Sequence, residues 1–142
     1  MGQYWKPVNL DKREFLNPHD LGAGLKLWEQ LANPGVGQAL VVLLAVMPGP
    51  RGGGDFEPGN DPDGMIGRWA GDRVVLVGDY AEDSDFETRE GELPFSELYT
   101  TTQGLPPPEE SFTDITARVA AVIEKELGGK FVGSGWKDWE GD

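Results

Sequence analysis

His19 is the single histidine among 142 residues, and so the one side chain whose ordinary pKa suits proton transfer near neutrality. It heads the run His19-Asp20-Leu21-Gly22-Ala23-Gly24-Leu25-Lys26-Leu27-Trp28-Glu29. There Gly22 and Gly24 can offer backbone N–H groups at a helix start, with Lys26 and Glu29 close by, which is a natural seat for an anion. In that reading His19 is general acid or base, Lys26 is the electrostatic anchor, and Asp79 or Tyr80 assists from a strand. The alternative is that His19 ties down a strand-to-helix turn, since one histidine is not a catalytic constellation. No Gly-x-Ser-x-Gly nucleophile elbow occurs, and Gly133-Ser134-Gly135 lacks that pattern. No catalytic residue is therefore assigned beyond the candidates His19, Asp79 and Tyr80.

Other chemistries fail on residue type or register. The chain has no cysteine, which removes disulfides, thiolate zinc sites, iron–sulfur clusters and a thiol nucleophile together. Arg51-Gly52-Gly53-Gly54 is followed by no Lys-Ser or Lys-Thr, so it is a hinge and not a phosphate loop. Asp61-Pro62-Asp63-Gly64 resembles part of a calcium loop, but in that register Gly59 and Ala70 fall where oxygen ligands belong. Asp83, Asp85 and Glu87 alternate as weak cation ligands would. Neither spacing assigns a metal site, weak divalent-cation binding by the acidic loops stays open as a third possibility, and no cofactor is expected.

Charge carries more information. Twelve Lys and Arg oppose 25 Asp and Glu, a net charge of −13, which argues against direct nucleic-acid binding because that requires a basic face. Residues 1–54 are nearly neutral at +1, so the remainder holds −14. Such an excess keeps a small protein soluble, and it also attracts a basic partner. Asp83, Asp85 and Glu87 are the carboxylates expected to meet that partner. Five tryptophans are many for this length, and Trp suits cores and contact sites alike. Trp28 and Trp69 lie in patterned segments and are expected in the core. Trp136 and Trp139 differ in strand parity, so one of them is expected to reach a partner.

The elements that must position these residues follow from punctuation and period. Gln3–Asn9 and Arg13–Leu16 read as a hairpin, with Pro7 at a sheet edge or a bulge because it cannot donate to a ladder. Asp20 is placed to cap a helix from Leu21 to Ala32, burying Leu25, Trp28, Leu31 and Ala32 on one face and closed by Asn33-Pro34-Gly35. The apolar run Gln38–Met47 is assigned to a helix. Met65–Ala70 and Arg73–Tyr80 read as a hairpin turned by Gly71-Asp72, whose second strand is central because Val74-Val75-Leu76-Val77 is unbroken. Ser111 to Asp114 reads as a capping box for a helix ending at Leu127 before Gly128-Gly129, with a stripe of Ile115, Val119, Val122, Ile123 and Leu127. Phe131–Trp139 is read as a last strand.

The sum is a single α+β domain over residues 1–142, a mostly antiparallel sheet packed by two or three helices. Loops occupy 48–64 and 82–110, the latter holding the Pro106-Pro107-Pro108 spacer, and a short tail occupies 137–142. The start lacks the order of a secretory signal or a myristoylation site, and Ala39–Met47 is too short to span a bilayer. A cytoplasmic location without membrane association is expected.

Met1-Gly2-Gln3-Tyr4, the His-x-x-Gly-x-Gly-x-Lys-Leu run from His19, and Trp69-Ala70-Gly71-Asp72 followed by Gly78-Asp79-Tyr80-Ala81 together resemble a family of small phage and bacterial proteins that has no established activity. The resemblance covers about half the chain and implies one small domain. It singles out His19, Lys26, Glu29, Asp79 and Tyr80 without giving them roles.

On these grounds the expected function is a soluble, non-enzymatic protein–protein interaction module, such as an inhibitor, an immunity-like factor or a phage–host modulator. The alternative is a small anion-binding domain or enzyme with its pocket at His19, Gly22, Gly24 and Lys26.

Overall fold

A computed structural model describes residues 3–49, 53–104, 108–132 and 135–138. It shows a single α+β domain built on a four-stranded sheet. Strand β1 (Trp5–Asn9) pairs antiparallel with β2 (Glu14–Phe15) and with β3 (Val74–Gly78), and β2 pairs in parallel with β4 (Thr113–Asp114), giving the order β3-β1-β2-β4. The turn after β1 is closed by the Asn9 carboxamide oxygen, which accepts from the N–H groups of Asp11 and Lys12.

Two strand positions are exchanged relative to the sequence reading. β1, with its proline, is interior, and the apolar β3 is an edge. Pro7 is tolerated because its nitrogen faces β2 at the point where that ladder stops. The Leu16 N–H donates to the Pro7 carbonyl, and proline has no N–H with which to return the bond, so β2 ends after two residues. β3 is apolar throughout because both of its faces are covered. Val75 and Val77 join one hydrophobic cluster and Val74 packs on the other.

The first helical region departs most from expectation. Pro18–Leu21 forms a 3-10 turn capped by Asn17, not Asp20, and ends at Gly22 in the left-handed region with φ 69°. Helix α1 then covers only Leu27–Ala32. Its only buried residue is Gln30, while Trp28 is 75% and Leu31 77% exposed. The stripe expected to be buried faces out because polar bonds hold α1 in place. The Gln30 amide donates to the carbonyls of Trp5 and Leu25, and the Trp5 N–H donates to Leu25.

Helix α2 (Pro34–Leu44) bears out the helical assignment for Gln38–Leu44 but stops before Ala45–Met47, and it begins at Pro34, so Asn33-Pro34-Gly35 opens a helix. Met65–Ala70 is no strand. The Asp61 carboxylate takes the N–H groups of Met65 and Ile66, and those of Gly67 and Trp69 cap the last carbonyls of α2 at Val42 and Leu43. β3 therefore pairs with β1 instead.

Helix α3 (Thr116–Leu127) is nearly as read from sequence. Val119, Val122 and Ile123 are buried, Leu127 is half exposed, and Gly128 ends the helix with φ 73°. The capping box is not formed. Thr113 and Asp114 form β4, and the Asp114 carboxylate accepts the Thr116 N–H and hydroxyl. A hairpin of β5 (Gly129–Val132) and β6 (Gly135–Asp138) replaces the single last strand, with Phe131 edge-on to Trp136 at 5.0 Å.

The sheet separates two cores. On one face Leu16, Leu43, Met65, Trp69, Ile115 and Val119 pack with the helices. On the other, Val8, Phe15 and Val77 are covered by Phe95, Leu98 and Tyr99. The second cover comes from residues 82–112, which the expected loop reading describes in part: among the described residues, four 3-10 turns (Asp83–Asp85, Phe95–Glu97, Tyr99–Thr102 and Pro108–Glu110) and otherwise irregular chain.

Candidate functional site

The start of β1 draws the resemblance-marked segments toward one another. The Asp79 N–H donates to the Tyr4 carbonyl and the Tyr4 N–H donates back to the Asp79 carboxylate, both at 2.9 Å, and the Tyr80 N–H reaches the Gln3 carboxamide at 3.3 Å. On the other side Trp5 holds Leu25. The expected anion seat at Gly24 and Lys26 is occupied from within. Glu29 accepts the Lys26 N–H at 3.1 Å, and a Cβ on Gly24 would stand 2.2 Å from the same carboxylate. Gly22 is turned elsewhere, against Gly135, whose carbonyl would lie 2.5 Å from an added Cβ.

His19 is exposed on its 3-10 turn. Among the described residues, no hydrogen bond or ion pair joins it to Lys26, Glu29, Asp79 or Tyr80. Of these five residues, hydrogen bonding brings only Lys26 and Glu29 together, and Tyr80 is 60% exposed.

Charge is gathered elsewhere. Residues 82–114 contain ten Asp and Glu against the single base Arg89, and Phe95, Leu98 and Tyr99 of this segment pack against one face of the sheet. Glu82, Asp83, Asp85, Glu87, Glu90, Glu97, Glu109 and Asp114 are exposed. Two of them also shape the chain: Asp83 accepts the Ser96 N–H at 3.0 Å and Asp85 accepts the Glu82 N–H at 2.9 Å. The bonds from Ser96 hold the Asp83 carboxyl below its ordinary pKa. Glu92 is bound by Arg73, which also holds Asp11, and by the Arg89 N–H. The Arg73 bond is the main reason the Glu92 carboxyl lies below its usual range.

The acidic layer is fastened by aromatic and aliphatic anchors, and its underside encloses a cation that sequence reasoning missed. Lys6 is buried, donates to the Thr102 carbonyl at 3.3 Å and hydroxyl at 3.1 Å, and lies over the rings of Tyr99 (5.1 Å) and Phe15 (5.5 Å). Burial lowers its pKa, and the charge of Asp114 opposes that shift. Strand alternation supplied the signal, because Lys6 shares a face with Val8 and stands opposite Val77.

Within this layer is a groove of about 220 Å³. Leu10, Leu93, Leu98 and Phe112 form an apolar floor, and Glu92, Glu109 and Glu110 edge it with carboxylates. Arg13 makes one wall, its guanidinium over the Phe112 ring at 5.5 Å and donating to the Glu109 carbonyl. Arg13 has φ 57°, the only positive value for a non-glycine residue among those described. An apolar floor under carboxylates suits a side chain with a methylene stem and a cationic head. These residues come from three separated stretches, so no sequence motif announces them.

Other expected contacts are more modest. Trp136 is half-buried and donates its indole N–H to Asp138 at 2.9 Å, while Trp139 lies outside the described residues. Asp63 approaches Arg118 at 3.7 Å. Among the described residues, no group of three or more His, Cys, Asp or Glu side chains is placed to hold a metal ion, and no helix is long and apolar enough to cross a membrane. In comparisons with protein-family models, curated proteins and solved structures, none matches this chain.

Proposed function

We propose that this chain is a non-enzymatic interaction module whose acidic layer docks a basic protein surface, as an inhibitor, immunity-like factor or phage–host modulator would in the cytoplasm. The observation that carries the reading is that residues 82–112, with nine Asp and Glu against the single Arg89, are anchored on the sheet by Phe95, Leu98 and Tyr99 while most of those carboxylates stay exposed. Concentrated charge of one sign steers an oppositely charged partner into encounter and disfavours others. The groove edged by Glu92, Glu109 and Glu110 then gives a lysine or arginine of the partner a place to bury its stem. The anion-site alternative has less support, since Glu29 already fills the seat that Gly24 and Lys26 were expected to offer.

The test is capture of partners by the wild-type chain and by two variants, Asp83→Asn/Asp85→Asn/Glu87→Gln and Glu109→Gln/Glu110→Gln, over a range of salt. Association should slow in both variants and lose part of its salt dependence, as it does when rim charges are removed. Partners captured equally well by all three proteins at every salt concentration would overturn the reading.

A further inference from the structure

The four-stranded sheet is guarded at one end and open at the other. β4 is two residues long, and so short an edge offers little main chain for a foreign strand to pair with. β3, at the opposite end, runs Val74-Val75-Leu76-Val77-Gly78 without a charge or a proline to deter one. Its register shows which groups are spare. The Leu10 N–H donates to the Arg73 carbonyl at one end of the β1 ladder and the Asp79 N–H to the Tyr4 carbonyl at the other, and bonded positions alternate along an antiparallel pair. Val75 and Val77 therefore direct their N–H and C=O groups at Val8 and Lys6. Those of Val74 and Leu76 point away from β1, where, among the described residues, no hydrogen bond reaches them.

A groove of about 320 Å³ follows this edge. Val75 and Leu76 both line it although alternation sets them on opposite faces, so the groove straddles the strand. Trp5 and Leu76 stand on one side, and Phe86 and Phe95, with ring centres 5.4 Å apart, on the other. Leu76 is half-buried and belongs to neither hydrophobic cluster. Among the described residues, Asp85 is the one charged side chain in the lining, and the exposed Glu82 and Asp83 precede it in the chain. Main-chain donors and acceptors recurring at every second residue are matched by another extended main chain, and the side-chain pockets beside them select among sequences. A second copy of this protein would set two acidic layers side by side, each on a chain of net charge −13. Such a like-charge contact is disfavoured, whereas a basic segment is attracted.

We propose that β3 accepts an extended segment of a basic polypeptide as a fifth strand, its main chain on Val74 and Leu76, an apolar side chain between Leu76 and Phe86, and a lysine or arginine beside Asp85. The sign of the partner's charge rests on the acidic-layer reading; the added strand rests on the ladder alone. The experiment mixes the full chain with a capped nine-residue peptide of alternating lysine and valine and follows amide hydrogen exchange by NMR. In the free chain the Leu76 N–H should exchange faster than those of Val75 and Val77, and saturation with peptide should slow it at least about ten-fold. The same peptide N-methylated throughout keeps every side chain and charge but has no donors, and should bind at least about ten-fold more weakly to the wild type. Leu76→Pro, which removes the outward N–H and spares the ladder to β1, should weaken the original peptide as much, while Leu76→Val should bind within about two-fold of wild type. The proposal falls if the peptide leaves Leu76 exchange unchanged, or if the methylated peptide or Leu76→Pro binds as well as its parent. It falls too if Leu76 is protected in the free chain and released on dilution, which makes the occupant a second copy. A peptide with threonine for lysine that binds equally well would overturn the basic partner, and with it the acidic-layer reading, while the added strand stands.

Discussion

The two faces of the sheet are covered in opposite ways. On the helix side α2 and α3 supply regular backbone, and the run from Pro34 to Gly49 contains no charged residue at all. On the other side 3-10 turns replace helices, and Phe95, Leu98 and Tyr99 hold down a segment crowded with carboxylates. Both covers bury a hydrophobic cluster, but the one without helices carries the denser run of carboxylates.

The largest effect should come from Trp69, which is fully buried among the helices and donates its indole N–H to Glu14 at 2.9 Å. Trp69→Ala should cost about 3–5 kcal/mol in urea unfolding, from lost burial and the cavity left behind. A cost under about 1 kcal/mol would mean that the helix-side cluster is not packed as described.

Arg68 comes next, because it grips the buried Glu14 carboxylate with Nε at 3.0 and 3.1 Å and with a second guanidinium nitrogen. Arg68→Met leaves that carboxylate without its cation and should cost about 2–3 kcal/mol at pH 7. Burial raises the Glu14 pKa, but the Arg68 and Trp69 bonds outweigh it, so the net shift is downward. A depressed folded-state pKa gives stability that is present above the unfolded value and lost as pH falls through the folded one. The gap between wild type and variant should therefore narrow below about pH 4, and a gap constant with pH would refute the assignment.

On the acidic face the expected sizes reverse between stability and binding. Asp83→Asn/Asp85→Asn/Glu87→Gln should change unfolding free energy by less than about 1 kcal/mol, as exposed charges do, even as it weakens capture of a basic partner. Unfolding of this triple variant at room temperature would show that the carboxylates are structural and not free for recognition. Smallest of all is Trp28→Ala, expected within about 0.5 kcal/mol because the ring is 75% exposed.

What was legible in the sequence depended on where each segment's hydrogen bonds go. Helix α3 satisfies its own backbone, so its stripe from Ile115 to Ile123 could be read directly. So could the N-terminal hairpin, whose turn is closed by its own Asn9. The stretches 21–32 and 65–73 were misread because their partners lie far along the chain: Trp5 for Gln30, and Val42 and Leu43 for Gly67 and Trp69. The negative excess after residue 54 was visible as arithmetic, but that Phe95, Leu98 and Tyr99 would pin part of it against the sheet was not. The adjacency of Gly24, Lys26 and Glu29 was likewise visible, although not that Glu29 would be the bound anion. For Lys6, strand alternation with Val8 marked the inward face, but the rings of Tyr99 and Phe15 that cover it are not connected to it by sequence spacing.

Arg13 joins a strained backbone to the wall of the acidic groove. A left-handed conformation costs a residue with a Cβ about 1 kcal/mol, which glycine would recover. That same replacement would strip the guanidinium from Phe112 and Glu109 and leave the groove misshapen. If the groove takes a partner's side chain as proposed, a sturdier molecule and a tighter grip pull in opposite directions at this one turn, and Arg13→Gly should gain stability while losing that grip.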